Sequence, residues 1–276
     1  MHYSELFSKW FKRLENENKA LNIQLLMEEA FHLSRTEFWT KKGEEITDRN
    51  ALARFNRYMK RLAQDEPTAY ILKKKYFFGE AFVVNRHVLI PRPETEVLVE
   101  RALALTPVPT TILDIGAGSG AIAVMLAKHT GATVTAVDMS PDALRVLNTN
   151  IVRFHVEQRV TPVRADLFPP AGNTFDLIVS NPPYVSESEW LALHPSVKDY
   201  EPRLALVAGP DGLDVIRRIA ENARLFLNPN GTLLLEFGYQ QDAKVVGILH
   251  AHGFSIVDIT RDYSGIPRVV AARPVS

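Results

Sequence analysis

Cysteine is absent from the 276 residues. That excludes disulfides, thiol nucleophiles and thiolate zinc sites, and it suits a reducing compartment. Net charge is absent as well, because Lys+Arg and Asp+Glu balance at 32 each. No global field draws the chain to nucleic acid or to an anionic membrane, which leaves only local patches to consider. No apolar run approaches the ~20 residues that span a bilayer. The start, Met1-His2-Tyr3-Ser4-Glu5, lacks the basic segment and apolar core of a signal peptide. His250 and His252, two apart near a helix end, do not share a helical face and make a poor metal pair. These absences read as a soluble cytoplasmic protein, expected to be a monomer with no membrane, stable nucleic-acid or metal partner.

A hydrophobic content of 46% is enough for a sizeable core, and this length makes one large or two modest domains. Residues 1–75 read as a small helical bundle. Leu6, Trp10, Phe11 and Leu14 recur at spacings of three and four. Leu21, Leu25, Leu26, Ala30 and Leu33 suggest a second apolar face. Asp48 is placed to cap a further helix carrying Ala51, Phe55, Tyr58 and Leu62. Residues 76–97 change character. Phe82-Val83-Val84 and Val88-Leu89-Ile90 suggest a β-hairpin turning at Asn85-Arg86, a linker that walls a site through Pro93, Glu94 and Thr95. Thr95 or Glu94 begins the next helix.

From residue 98 to 276 strands alternate with helices, which predicts a doubly wound, mostly parallel sheet. Thr111-Ile112-Leu113-Asp114-Ile115 is an apolar strand, and Gly116-Ala117-Gly118-Ser119-Gly120 is a tight turn opening a helix. The next strand ends at Asp138, 18 residues past Gly120, where an acidic side chain can accept from both hydroxyls of a ribose. The glycine spacing is G-x-G-x-G rather than the dinucleotide G-x-G-x-x-G. A carboxylate at Asp114, beside the turn, repels a pyrophosphate and suits an ammonium-bearing ligand. S-adenosylmethionine, which has a ribose, an ammonium and no phosphate, fits better than NAD. Asp166 and Leu167 follow the third strand, where an adenine would lie. Asp166 can accept from its amino group and Leu167 can pack on its ring, unless both are only a strand-end loop.

A fourth apolar run, Phe175 to Ser180, stops at Asn181-Pro182-Pro183-Tyr184. Two prolines cannot continue a ladder, and they hold Asn181 extended. The corner presents an amide side chain, the Pro182 carbonyl and an aromatic ring. Asn181 Oδ1 and the Pro182 carbonyl can each accept one hydrogen of a planar amino group, with Tyr184 against its face. Gly116, Asp138, Asp166 and Asn181 all fall at strand carboxyl ends, where open α/β sheets bind ligands.

Together these residues resemble a class I S-adenosylmethionine-dependent methyltransferase, with a Rossmann-like, mostly parallel seven-stranded sheet behind a helical N-terminal domain. More narrowly, the chain resembles the HemK/PrmC family of protein-(glutamine-N5) methyltransferases. Glu66-Pro67, Phe77-Phe78-Gly79, the Ile90-Pro91-Arg92-Pro93-Glu94-Thr95-Glu96 run, the Asn181–Tyr184 corner, Glu201-Pro202, Gly209-x-Asp211-Gly212-Leu213-Asp214 and Glu236-x-Gly238 carry the resemblance. It implies methylation of the glutamine of a Gly-Gly-Gln loop in peptide chain release factors, with S-adenosylhomocysteine as the second product. Asn181, Pro182 and Tyr184 are the implied catalytic residues, Pro183 joins them at the substrate, and Asn181 also borders the cofactor. The family usually has Gly where Lys73 stands and an aromatic where Leu167 stands. Glu236 and Arg268 have no role assignable from sequence. The corner alone is shared with enzymes that methylate adenine or cytosine amino groups, and a bare nucleotide-binding module would need only the βαβ core.

Overall fold

The computed structural model describes residues 1–14 and 18–275. It divides into two compact units, Met1–Lys73 with Pro195–Tyr200, and Lys74–His194 with the chain from Glu201 onward.

The smaller unit is helical. Its helices are α1 (Tyr3–Phe11), α2 (Lys19–Phe31), α3 (Arg35–Thr40), α4 (Arg49–Leu62) and α5 (Thr68–Leu72). Asp48 caps α4, accepting the N–H groups of Asn50 and Ala51 at 2.9 Å each, which satisfies two otherwise orphaned donors. The apolar stripe of α4 follows as Ala51, Phe55, Met59 and Leu62, all buried, with Tyr58 only packed against them. On α2 the inward stripe is Ile23, Leu26, Met27 and Ala30, while Leu21 and Leu25 are exposed. The sequence offers two overlapping apolar stripes there, and packing selects the one shifted toward Ile23. Arg61 grips Glu66 through a fork of 2.6 and 2.5 Å, which fixes the approach to α5. Residues 195–200 join this unit, and the Tyr200 hydroxyl donates to the Gln64 carbonyl at 2.6 Å.

The larger unit opens with a hairpin, β1 (Lys74–Phe77) and β2 (Glu80–Val83), turning at Phe78-Gly79 rather than at Asn85-Arg86. A two-residue hairpin loop of type I′ needs positive φ at both positions. Phe78 and Gly79 supply it at 53° and 77°, and Glu96 accepts the Phe78 N–H at 2.8 Å. Asn85 instead starts a short side-chain turn, accepting the His87 N–H at 2.9 Å. Asn150 secures the hairpin to the rest of this unit. Its amide accepts the Val83 N–H at 2.8 Å and donates to the carbonyls of Val83 at 3.0 Å and Ser119 at 2.8 Å.

Next come α6 (Pro93–Leu103), β3 (Thr111–Ile115), α7 (Ala121–Thr130), β4 (Thr133–Asp138), α8 (Pro141–Arg153), β5 (Val160–Arg164) and β6 (Phe175–Ser180). Two short helices follow, α9 (Glu187–Ala192) and α10 (Pro195–Lys198), the latter within the smaller unit. The chain closes with α11 (Asp214–Ala223), β7 (Leu227–Glu236), α12 (Asp242–Ala251), β8 (Phe254–Arg261) and β9 (Pro267–Pro274). The seven strands β3–β9 lie in the order β5-β4-β3-β6-β7-β9-β8, with only β9 antiparallel to its neighbours. Alternation along each strand makes two cores. Ile112, Leu177, Val179 and Leu234 face one, with Val97, Val124 and Leu147 from α6, α7 and α8. Leu113, Ile178, Leu233 and Leu235 face the other, with Ile216 and Val245 from α11 and α12. Each large side chain so buried contributes about 1.5–3 kcal/mol. The sheet reverses its winding between β3 and β6, so their carboxyl ends form the crevice where such sheets take ligands.

Candidate active site

At the end of β3 the main chain builds its own cradle. Gly116 and Ala117 both donate to the Val137 carbonyl at 2.9 Å, folding the turn across the end of β4. Gly118 donates to Asp138 Oδ2 at 2.9 Å, and Asp138 Oδ1 accepts the Ser140 N–H at 2.9 Å. Burial raises the Asp138 carboxyl above its ordinary value, and these N–H bonds oppose that rise. Gly116 and Gly118 have φ of 73° and 54° and line the cavity, and a Cβ on Gly116 would meet no protein atom. That gap is what a ligand pressed on the backbone requires. Gly120 serves packing instead. A Cβ there would stand 2.3 Å from Leu147 of α8.

The cavity encloses about 780 Å³ of empty space, its open mouth included. Gly116, Gly118 and Asp138 form one side, Asp166 and Leu167 another, and Asn181 and Pro183 a third. Two loops close the rest, with Val88 and Leu89 from one and Pro202 and Leu204 from the other. Glu201 joins these loops. It accepts the Ile90 N–H at 3.0 Å and pairs with Arg92 at 2.5 Å, its side chain almost fully buried.

At the end of β6 the site is made of side chains. Asn181 Nδ2 donates to Thr95 Oγ1 at 2.9 Å, leaving Oδ1 with no hydrogen bond among the described residues. The Tyr184 hydroxyl lies 3.4 Å from Glu236 Oε1 at the end of β7. Glu236 is 1% exposed, and burial pushes its carboxyl up to about 7, against the pull of the Thr95 hydroxyl and the Arg268 guanidinium. Burial and the Glu236 charge also raise the Tyr184 phenol. Arg268 is itself held by Asp262 at 3.0 Å. The Tyr184 carbonyl accepts from Gln241 Nε2 at 3.0 Å, and a Cβ on Gly212 would stand 2.3 Å from that same oxygen. Gly212, with φ of 74°, therefore permits the close approach that seats the corner.

The structure thus gathers Gly116, Gly118, Asp138, Asp166, Leu167, Asn181 and Pro183 around one cavity. Asp166 is also paired with Arg218 at 2.8 Å. Asp114 is not in the cavity wall. It is fully buried behind the turn, its Oδ2 accepts the Ala123 N–H at 3.1 Å, and its Oδ1 has no partner among the described residues. Burial, reinforced by the Asp138 charge, pushes it up to about 7. Ala117, Ser119 and Gly120 shape the turn from behind, and Pro182 and Tyr184 border Asn181 without lining the cavity. Of Pro93, Glu94 and Thr95, only Thr95 reaches the corner by a hydrogen bond. Pro93 begins α6, ahead of the expected start, because its fixed φ suits the first helical position. The resulting shift puts Thr95 in the first turn, 4% exposed and facing Asn181. The Thr95–Asn181 and Tyr184–Glu236 contacts, spanning 86 and 52 residues, left no signal in local spacing.

The seven-stranded sheet, the glycine cradle and the corner beside it define a class I methyltransferase. Residues 93–195 match the methyltransferase small domain and residues 5–72 the PrmC N-terminal domain. The release factor glutamine methyltransferase of Geobacter sulfurreducens is 42% identical, over 93% of this chain and 90% of that protein. That of Koribacter versatilis is 38% identical over 99% of both. The chain belongs to the release factor glutamine methyltransferase family. A methyltransferase structure from Pyrococcus furiosus shares the fold at 20% identity, with a TM-score of 0.54 over 81% of this chain and 97% of that one. No helix among the described residues is long and apolar enough to cross a membrane.

Proposed function

We propose that the chain methylates the side-chain amide nitrogen of the glutamine in the Gly-Gly-Gln loop of peptide chain release factors, using S-adenosylmethionine. One observation carries the reading: Asn181 is tied down through its nitrogen, so its oxygen is the atom left to meet an incoming amino group beside the cavity. The cavity fits the cofactor's parts. Asp138 offers a carboxylate to ribose hydroxyls, Gly116 and Gly118 admit a ligand against the backbone, and Leu167 gives an apolar face to a base. The cofactor supplies an electrophilic methyl group on a sulfonium.

A glutamine amide is a poor nucleophile, because its lone pair is delocalised into its own carbonyl. Asn181 Oδ1 and the Pro182 carbonyl accept its two hydrogens and favour a pyramidal nitrogen with a free lone pair. Positive charge grows on that nitrogen during transfer, so acceptors there stabilise the transition state more than the ground state. Tyr184 steadies the amide plane, and such positioning is worth several kcal/mol. After methylation the cationic nitrogen is strongly acidic and releases its proton to water, so the corner needs no base.

Tritiated S-adenosylmethionine incubated with purified release factor, DNA and tRNA in parallel tests the reading. Label in the release factor, lost when its target glutamine is replaced, is the expected result. Label only in nucleic acid rejects it in favour of a base amino methyltransferase, which would use the same corner.

A further inference from the structure

We propose that Glu201 and Arg92 are positioning residues for the cofactor: their ion pair latches together the two loops that wall the cavity and so sets how tightly S-adenosylmethionine is held. The inference rests on the cofactor reading given above and adds the device that keeps the cavity's shape.

The walls need such a device, because neither is a strand of the sheet. One lies in residues 84–92, between β2 and α6, and sends His87, Val88 and Leu89 to the cavity. The other follows Glu201 as Pro202 and one 3-10 turn, Arg203–Ala205, and supplies Pro202, Leu204 and Ala205. The far end of that second wall is pinned. Val185 donates to the Leu206 carbonyl at 2.8 Å, and Ala208 donates to the Val185 carbonyl at 2.9 Å. Glu201 pins the near end.

Glu201 spends both carboxylate oxygens on the first wall. Oε2 accepts the Ile90 N–H at 3.0 Å, and Oε1 accepts from the Arg92 guanidinium at 2.5 Å. The Glu201 side chain is 1% exposed, so water cannot readily replace either bond. The sequence prepares all three positions. Ile90, Arg92 and Glu201 each stand directly before a proline, Pro91, Pro93 and Pro202. A following proline holds its predecessor extended, and Arg92 has φ −97° and ψ 146°. Less chain entropy is therefore lost when the latch forms.

The first wall has firm footing. Arg92 is the N-cap residue of α6, its carbonyl accepts the Thr95 N–H at 3.1 Å, and Thr95 is fastened to Asn181. The latch lends that footing to the second wall. Without it the ligand itself must order the walls, and that cost is subtracted from affinity. The corner keeps its own Thr95–Asn181 bond, so the loss falls on cofactor binding first.

Removing one member of a buried pair costs more than neutralising both, because the survivor stays charged and unpaired. That asymmetry supplies the test. The full-length wild type, Arg92→Met, Glu201→Gln and the double variant are titrated with S-adenosylmethionine by calorimetry, below the lowest Tm of the set. Arg92→Met strands the Glu201 carboxylate and should weaken Kd by about thirtyfold. Glu201→Gln keeps an acceptor for Ile90 and should weaken it by about tenfold. The double variant should bind more tightly than Arg92→Met alone, within about threefold of Glu201→Gln. In each variant kcat at saturating cofactor should fall by less than Kd rises. A wild type that binds no S-adenosylmethionine defeats the cofactor reading and the latch with it. A wild type that binds, with both single variants inside about twofold of its Kd, overturns the latch alone. So does a double variant that regains Tm without regaining Kd, since the pair would then serve stability only. Should Arg92→Met fail to fold, the Kd of Glu201→Gln decides.

Discussion

The carboxyl ends of β3 and β6 are neighbours in the sheet and are built in opposite ways. After β3 the ligand surface is main chain. Three successive donors, from Gly116, Ala117 and Gly118, fold the turn onto the end of β4, and the side chains are small or missing. After β6 the surface is side chain. Asn181 and Tyr184 take their places from Thr95 and Glu236 on other elements. A main-chain cradle tolerates exchange of its neighbours as long as φ is kept. A side-chain corner has no such reserve, because each atom depends on one partner.

The largest effect should come where that reserve is least. Asn181→Ala is expected to lower kcat by about a hundredfold to a thousandfold, as when one transition-state hydrogen bond is removed, far more than it weakens cofactor binding. Turnover surviving within about threefold would break the contrast. Asp138 is the one carboxylate on which the cradle leans, so Asp138→Ala should weaken S-adenosylmethionine binding by about thirtyfold, roughly 2 kcal/mol. An unaltered Kd by calorimetry would mean the main chain holds the ligand alone.

Asp114 sharpens the comparison through pH. Its folded value near 7 exceeds the ordinary 3.8, so the protonated form is the one the fold favours. Its favourable contribution is complete below about 4 and is lost as pH rises through 7. Asp114→Asn keeps an acceptor for Ala123 and removes that loss. It should therefore stabilise the protein by about 2 kcal/mol more at pH 8 than at pH 5, read by chemical denaturation. Equal gains at both pH values would show that Asp114 is ionised throughout. The smallest effect concerns neither end. Lys73 sits at φ 56°, the left-handed cap of α5, where Gly carries no steric penalty. Lys73→Gly should raise stability by about 0.5–1 kcal/mol without altering kcat, and a lower Tm would count against strain there.

The same contrast explains what the sequence made legible. The glycine turn, Asp138 and the strands around them follow from local spacing, because local backbone geometry is what those residues encode. The Asn181 corner was visible for a similar reason, since two prolines leave the chain little choice. Its support was not visible. Thr95 falls in a run that reads as a site wall, and Glu236 has no role assignable from its place in the sequence. Only the pairing of β6 with β7 puts Glu236 beside Tyr184. The hairpin lies earlier than the apolar pattern suggests because Val84, Val88 and Ile90 are apolar for another reason, being buried outside any strand. The φ of 53° at Phe78 breaks the usual preference of such residues, so no turn rule favoured it over Asn85.

Asn150 has a consequence beyond fastening the hairpin. A ribbon of two strands is marginal in water and has bare edges open to other chains. At Val83 both main-chain groups on one such edge are already taken by a single amide. That amide imitates a rung of a third strand without supplying the strand. The ribbon is finished at that rung by one side chain, and a stray segment meeting it there during folding finds neither donor nor acceptor free.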